Sequence, residues 1–370
     1  MFLKKLSLIN FKSYDQIDLD LNPKMNCFVG NNGQGKTNLL DAIYYLSMCK
    51  SSLNSVDYHN IKHQQDFFVV QGQYTRELEP ESIYCSVQRN SVKTFKRNGK
   101  EYQRLADHIG FIPVVIVSPA DGTLIVEGSD ERRKFLNTVI SQYDRHYLEK
   151  LMRYNKLLAS RNKLLKDMRF GSTVSYDLLE VIDEQLVSLA TPIFEKRKDF
   201  IQLLNPHFQQ YYTTISGGHE NVTLEYESHL QNGNLKEMLT ESFEKDRTLQ
   251  FTTKGIHKDD ILFQFNGQPL KREGSQGQQK TYLIALKLAQ FIYMSSILPV
   301  KPILLLDDIF DKLDTTRVQQ FIELVAHNGF GQIFITDANK NRLDSILEQI
   351  ETGFSLFNVD KGNAVLIKTQ

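Results

Sequence analysis

The chain lacks the features that would place it in a membrane, in an oxidising compartment or in a constitutive coat on nucleic acid. Its first residues, Met1–Phe11, hold two lysines but no apolar run of signal-peptide length. The most apolar stretch, Tyr282–Leu298, is interrupted by Lys287 and Gln290 and is a poor membrane span. The three cysteines, Cys27, Cys49 and Cys85, are odd in number and show neither CxxC nor zinc-ligand spacing, so they read as thiols of a reducing cytoplasm. Lysine plus arginine and aspartate plus glutamate each total 44, which leaves no basic excess. DNA binding would therefore need a local patch, or a surface completed by a partner or a second copy. Low-complexity tracts and internal repeats are also missing.

What is present is an ordinary globular composition, 41% hydrophobic and 24% charged over 370 residues, enough for one large core or two moderate ones. Leu6 and Leu8, then Ile17, Leu19 and Leu21, alternate with polar residues and predict an antiparallel strand pair. A short apolar strand, Asn26–Val29, runs into a glycine-rich loop, and a helix over Asn38–Met48 follows. Phe67–Tyr74, Ile83–Val87 and Lys93–Arg97 predict further strands, with a tight turn at Asn98-Gly99. Val114–Val117 predicts a buried strand ended by Ser118-Pro119. From Asp130 to about Tyr212 the pattern turns helical. Tyr147, Leu151, Tyr154, Leu158 and Leu165 form one stripe, and Leu178, Ile182, Leu186, Leu189 and Ile193 a second. Gly171 and Ser172 between them predict the turn of a helical hairpin, whose second helix Pro192 would kink or break. Strand patterns return after Gly217. Ile261, Phe263 and Phe265 alternate before a turn at Asn266-Gly267. A long helix covers about Gly277–Ser296; Ile303–Leu306 is an apolar strand ending in Asp307-Asp308, and Ile333–Ile335 a similar one ending in Thr336-Asp337.

The loop Gly30-Asn31-Asn32-Gly33-Gln34-Gly35-Lys36-Thr37 fits the phosphate-loop pattern, and Asn38 follows it. Glycines let successive N–H groups turn inward around phosphate oxygens, and the following helix points its positive end at the same charge. Lys36 would reach the β- and γ-phosphates of ATP, and the Thr37 hydroxyl would ligate Mg²⁺. The competing reading is a glycine-rich turn that binds nothing. Chance gives the pattern in roughly one such chain in a hundred, and the strand-then-helix context disfavours it further. Asp307, at the end of Ile303–Leu306, is the candidate second Mg²⁺ ligand. Asp308 is the candidate group that orients or deprotonates the attacking water. An apolar strand ending in a solvated acid is common by itself; its pairing with the phosphate loop gives it meaning.

Gly274-Ser275-Gln276-Gly277-Gln278-Gln279 opens the long helix just before the Asp307 strand. It resembles the signature motif of ATP-binding-cassette ATPases, although an ordinary helix start with Ser275 as N-cap would look the same. Asp311-Lys312-Leu313-Asp314 resembles the D-loop of that superfamily. The interval between Gly30 and Ser275 is longer than in transporter cassettes, yet holds only one modest hairpin where chromosome-condensing SMC proteins have long coiled coils. Several runs resemble the bacterial RecF recombination-repair family. They are Asn10-Phe11-Lys12-Ser13-Tyr14, Val117-Ser118-Pro119, Glu131-Arg132-Arg133-Lys134-Phe135-Leu136, Gly255-Ile256-His257-Lys258-Asp259-Asp260 and Ser275-Gln276-Gly277-Gln278-Gln279-Lys280. The resemblance covers essentially the whole chain, in order.

The resemblance implies an α/β fold, an ABC-type P-loop ATPase head with an inserted helical lobe. The expected lobes are residues 1–119 plus 253–370 for the ATPase and 120–252 for the insert. It implies a cytoplasmic ATP-dependent DNA-binding protein of replication, recombination, DNA-damage repair and the SOS response. Such a protein acts with RecO and RecR to load recombinase at gapped or duplex-adjacent single-stranded DNA, and is a slow DNA-stimulated ATPase. An ATP-dependent homodimer is expected, with Ser275 completing the partner's site beside Lys36 and Asp308. The alternative is a nucleotide-switched scaffold with incidental hydrolysis. The chain departs from the family at Gln276, where arginine is usual, and at Asp311, where serine is usual. Transporter cassettes also carry glutamate at the Asp308 position and a histidine near Asp337. These departures bear on hydrolysis more than on ATP binding. For DNA, one helix carries Arg145, Lys150, Arg153, Lys156, Arg161, Lys163, Lys166 and Arg169 against only Glu149 and Asp167. Most of these project away from its leucine stripe. They could meet phosphates, or form a solvated face partly paired with Asp177, Glu180, Asp183 and Glu184. Arg132-Arg133-Lys134, and Lys93, Lys96, Arg97, Lys100 and Arg104, are further candidates. None reads bases, so binding would be independent of sequence.

Overall fold

Alternating apolar residues open the chain as a hairpin. β1 (Phe2–Phe11) and β2 (Tyr14–Asp20) run antiparallel with Leu6 opposite Leu19 and Leu8 opposite Ile17. β3 (Met25–Val29) is buried at every position and leads through the glycine-rich loop into α1 (Lys36–Met48). Next come β4 (Phe67–Arg76), β5 (Glu79–Gln88), β6 (Thr94–Arg97) and β7 (Lys100–Glu101). Asn98 and Gly99 join the last two with φ of 49° and 78°, the left-handed pair a two-residue hairpin needs. β8 (Val114–Val117) closes this part of the chain. The computed structural model describes residues 1–169, 176–218, 220–310, 321, 324–325, 329–347 and 352–370. The Gly171-Ser172 turn and the D-loop residues Asp311–Asp314 lie outside them.

The helical stretch contains α2 (Thr123–Val126), α3 (Ser129–Tyr143), α4 (Arg145–Arg169) and α5 (Tyr176–Ser216). Of the kink or break expected at Pro192, the break is not found: α5 runs through both Pro192 and Pro206. Proline removes one backbone bond, but Leu186, Ala190, Ile193, Phe194 and Phe200 are buried on either side of Pro192 and outweigh that loss. β9 (Val222–Glu227), α6 (Leu235–Glu241), α7 (Phe243–Leu249), β10 (Asp260–Phe265), β11 (Gln268–Pro269), α8 (Leu270–Glu273) and α9 (Gln276–Ile297) follow. The chain ends with β12 (Ile303–Asp307), β13 (Ile333–Asp337), α10 (Lys340–Leu347), β14 (Phe354–Asp360) and β15 (Asn363–Thr369).

The chain divides into two compact units. The first holds residues 1–121, 211–218 and 280–370; the second holds 122–210 and 219–279. Residues 253–279, expected with the ATPase lobe, thus belong to the second unit. In the first unit an antiparallel sheet, ordered β2-β1-β4-β5-β6-β7, accompanies a mainly parallel one, ordered β15-β14-β3-β13-β12-β8. Strands β3, β12 and β13 are buried on both faces, which explains their unbroken apolar sequences. Phe28 stacks on Phe334 and meets Phe357 at a tilt, a cluster across three neighbouring strands. Helix α1 touches strands of both sheets and buries Leu39, Leu40, Ile43, Tyr45 and Leu46. That burial nearly all round is why its amphipathic pattern is weak.

The second unit packs its helices with a three-stranded sheet ordered β11-β10-β9. Two buried arginines organise it. Arg161 donates to Asp183 Oδ1 and Asp246 Oδ2, each at 2.6 Å, and to Thr252 Oγ1 at 3.0 Å. Arg197 donates to Asp259 Oδ2 at 2.6 Å and to the Ile256 carbonyl at 2.8 Å.

Candidate nucleotide-binding site

The phosphate loop sits at the carboxyl end of β3, where open parallel sheets place ligands. The helix that follows is bare at its amino end. Gly35 precedes it with φ of 109°, no side chain caps it, and its first turn holds no acid. Its positive end is left for an outside anion. Glycine is required at two of the bends. A Cβ on Gly30 would stand 2.2 Å from the Val359 carbonyl oxygen, and one on Gly35 would stand 2.7 Å from Ser13 Oγ.

Asn31, Asn32 and Gly33 are exposed at the loop's tip. Lys36 is folded along the loop, where its ammonium donates to the carbonyls of Gly30 at 2.7 Å and Asn31 at 2.9 Å. Burial lowers its pKa, and the charges of Asp308, Asp307 and Asp337 oppose that shift. Gln34 and Asn38 point to protein rather than outward. The N–H of Lys361 donates to Gln34 Oε1 at 2.7 Å, and Asn38 Nδ2 donates to Ser13 Oγ at 2.9 Å.

Asp307 comes to the loop from β12, two strands away across β13. The hydroxyls of Thr37 and Thr336 both donate to its Oδ1, at 2.9 Å and 2.7 Å. Burial raises the Asp307 pKa; the two hydroxyl bonds and Lys36 counter it, while Asp308 adds to it. Asp308 takes a left-handed φ of 47°, and its N–H donates to Thr336 Oγ1 at 2.9 Å. Non-glycine residues seldom adopt that conformation, and aspartate tolerates it better than most. Thr336 was visible in the sequence only as the end of an apolar strand. Its part in the site appears only when β13 pairs with β12 and sets Thr336 opposite Asp307.

These residues fit a triphosphate with Mg²⁺. Thr37 Oγ1 and Asp307 Oδ1 are hard oxygen donors 2.9 Å apart at the base of a glycine cradle. One carboxylate and one hydroxyl suit a cation that takes its remaining ligands from phosphate and water. Among the described residues no group of three or more His, Cys, Asp or Glu is arranged to hold a metal unaided.

Ser275 belongs to the second unit. It caps its own helix: the Gln278 N–H donates to Ser275 Oγ at 3.3 Å, and the Ser275 N–H donates to Gln278 Oε1 at 2.8 Å. The Gln278 amide also donates to Glu220. Ser275 and Gln276 are exposed.

The family described as RecF/RecN/SMC N terminal domain matches residues 2–362. DNA replication and repair protein RecF of Phocaeicola vulgatus is 53% identical over 98% of this chain and 97% of its own. Its namesake in Flavobacterium johnsoniae is 48% identical over 97% of this chain and all of its own. The chain belongs to the RecF family. A solved recombination mediator protein RecF-ATP in the RecFOR pathway is 30% identical, with a TM-score of 0.88 over 99% of this chain and 98% of its own. The Smc head domain of Pyrococcus furiosus, at 16% identity and a TM-score of 0.59 over 99% of this chain and 96% of its own, shares the fold. The fold is α/β, that of an ABC-type P-loop ATPase head, as the resemblance implied.

The family runs seen in the sequence gain physical reasons. Phe11 is core, Lys12 pairs with buried Asp41 at 2.6 Å, and Tyr14 donates to the Gly35 carbonyl at 3.0 Å. Arg132 and Arg133, candidates for DNA contact in the sequence, are engaged in the fold. Arg132 donates to both oxygens of Asp260, and Arg133 donates to the Asp259 carbonyl at 2.7 Å. Lys93 pairs with Asp57 at 2.6 Å, and Arg97 pairs with Glu81. Arg161 leaves the basic face of α4 altogether and is fully buried. Arg153, Lys156, Lys163 and Lys166 remain exposed there. Among the described residues no helix is long and apolar enough to cross a membrane.

Proposed function

We propose that this RecF family member is an ATP-dependent DNA-binding protein of recombinational repair and replication, acting at gapped or duplex-adjacent single-stranded DNA with RecO and RecR as partners. The meeting of Thr37 with Asp307 under an uncapped helix end carries the reading. The full-length similarity to a RecF solved with ATP supports it. Gly30, Asn31, Asn32, Gly33, Gln34, Gly35 and Asn38 shape the cradle, Lys36 neutralises phosphate charge, and Thr37 and Asp307 hold Mg²⁺. The cation supplies charge neutralisation at the transferring phosphoryl group. Asp308, beside Asp307 and fixed in a left-handed turn, orients the attacking water and takes its proton.

The DNA surface in this reading is the exposed face of α4 through Arg153, Lys156, Lys163 and Lys166. It contacts backbone phosphates and is blind to sequence. Turnover of ATP with and without gapped duplex is the deciding measurement. Stimulation by DNA supports the reading. Equal rates would favour a nucleotide-switched scaffold in which hydrolysis is incidental. Lys36→Ala loses tight ATP binding. Asp308→Asn, whose new side chain tolerates the same backbone, keeps binding but traps the ATP state. Wild-type turnover in Asp308→Asn would remove Asp308 as the base.

A further inference from the structure

Two features of the phosphate loop are unused by this reading: where its outward-facing carbonyls go, and why a turn near the chain's end touches it. The β14–β15 turn consists of Lys361 and Gly362, with φ of 46° and 77°. It offers two N–H groups to one residue of the loop. Lys361 N–H donates to Gln34 Oε1 at 2.7 Å, and Gly362 N–H donates to the Gln34 carbonyl at 3.4 Å. One residue later the Gly35 carbonyl accepts the Asn38 N–H at 3.0 Å and the Leu39 N–H at 3.3 Å from α1, and the Tyr14 hydroxyl adds a third bond at 3.0 Å. Tyr14 is fully buried, and burial raises its pKa, so it stays protonated and able to donate.

A trans peptide is planar, and its C=O and N–H point in opposite directions. Fixing the Gln34 carbonyl outward therefore turns the Gly35 N–H inward. The Gly35 carbonyl is held along α1 by the Asn38 and Leu39 N–H groups, reinforced by Tyr14, and this does the same for the Lys36 N–H. These are consecutive donors facing the space that Lys36 and Thr37 also border, the arrangement that makes an anion-binding nest. Close packing holds the two anchors themselves. A Cβ on Gly362 would stand 2.5 Å from the Ser13 carbonyl oxygen, and one on Gly35 would stand 2.7 Å from Ser13 Oγ. The β1–β2 turn and the β14–β15 turn thus meet around the loop.

We infer that the Lys361-Gly362 turn and the Tyr14 hydroxyl are positioning elements of the phosphate site, which set the peptide planes of Gln34 and Gly35 so that the donors face phosphate before nucleotide arrives. Gln34 serves the site through this anchor. The inference rests on the nucleotide-site reading given above.

The test measures Mg²⁺-ATP and Mg²⁺-ADP affinity by titration calorimetry on the full chain. Tyr14→Phe, Gln34→Ala and Gly362→Ala each weaken both nucleotides, by about tenfold, the loss of one preorganised donor. Turnover of Gly362→Ala at saturating ATP stays near wild type, since ground-state binding is what it loses. Gln34→Ala and Gly362→Ala break the same anchor, so their combined loss is well short of the sum of the two. Full additivity would overturn the shared anchor, and wild-type affinity in folded Tyr14→Phe and Gly362→Ala would overturn the inference outright. If Gly362→Ala fails to fold, Tyr14→Phe and Gln34→Ala decide, because neither adds an atom to a crowded place. Lys36→Ala separates the two levels. Undiminished ATP binding there overturns the nucleotide site itself. A loss there with none in Tyr14→Phe overturns only the positioning role.

Discussion

Thr336 and Asp307 stand opposite one another on adjacent parallel strands, and the threonine hydroxyl donates to Asp307 Oδ1 at 2.7 Å. The same hydroxyl oxygen accepts the Asp308 N–H at 2.9 Å. One buried hydroxyl thereby fixes the carboxylate of Asp307, the candidate Mg²⁺ ligand, and the left-handed turn that carries the next acid. Thr336→Val keeps the shape and removes both bonds, leaving a buried N–H and a buried carboxylate underprovided. The expected loss is about 1–3 kcal/mol in urea denaturation, with weaker Mg²⁺-dependent ATP binding. Thr336→Ser restores most of it. An unchanged urea midpoint in Thr336→Val would show that the hydroxyl holds neither group.

Asp307 carries a pH prediction whose sign follows from its shift. Burial raises its pKa above the ordinary 3.8, so the ligand-free fold binds that proton more tightly than the unfolded chain does. The resulting stability is present at low pH and is lost as pH rises from 3.8 through the raised value. Above that window the ionised carboxylate is a net cost. Asp307→Asn removes the cost, because its amide oxygen still accepts from Thr37 and Thr336. Without ligand, Asp307→Asn therefore melts higher than wild type near neutral pH, and its advantage shrinks as pH falls toward 3.8. With Mg²⁺-ATP the order reverses, since only wild type has the anionic ligand. Melting curves across pH, with and without Mg²⁺-ATP, check both halves. A variant that melts lower than wild type at neutral pH without ligand contradicts the argument.

The site's two halves were legible because each is local. A glycine loop between strand and helix, and an apolar strand ending in acids, are written in consecutive residues. The strands Val114–Val117 and Ile303–Leu306 and the turns at Asn98 and Asn266 are legible for the same reason. What was hidden depends on partners far along the chain. Thr336 acquires its role from strand pairing, and Gln34 from a turn more than three hundred residues away. Arg161 falls in a basic run, yet it stands three residues after Leu158 and four before Leu165, in line with the apolar stripe of α4, so its inward position was legible. What was hidden is its partners, the carboxylates of Asp183 and Asp246, brought in from α5 and α7. Pro192 does not end α5, because burial along the helix outweighs one lost hydrogen bond.

Arg161 and its neighbours on α4 should consequently separate into two behaviours. Arg161→Ala strands Asp246, which is fully buried, and costs about 3–5 kcal/mol of stability. Its effect on DNA is secondary to unfolding and appears as a lowered melting temperature. Lys156→Glu with Lys163→Glu changes exposed positions, so stability moves by about 0.5 kcal/mol or less. Duplex binding weakens uniformly across sequences, and the salt slope flattens by about 1 for each phosphate no longer neutralised. An unchanged slope in the double variant would exclude this face of α4 as the DNA surface.

Ser275 stands in the run that resembles a cassette signature, and its geometry leaves the hydroxyl able to donate. Ser275 Oγ accepts the Gln278 N–H, so the hydroxyl proton stays available to an oxygen approaching from outside. The residue is exposed at the start of α9, whose positive end favours an anion. A second copy related by a two-fold axis would present Ser275 to the γ-phosphate held by Lys36, and Lys36 of the second copy would face Ser275 of the first. ATP would then be shared between subunits and would favour the dimer; removal of the γ-phosphate would loosen it and release DNA. Mixing tests this directly. Lys36→Ala chains and Ser275→Arg chains are each expected to be inactive alone. Their mixed dimer has one site with both lesions and one with neither. Measurable ATPase activity therefore returns in the mixture if one intact site suffices. Sedimentation should show ATP-dependent dimers of wild type and none of Ser275→Arg. Monomers of wild type at micromolar concentration with saturating ATP, Mg²⁺ and DNA would end the shared-site mechanism, whatever the mixtures show.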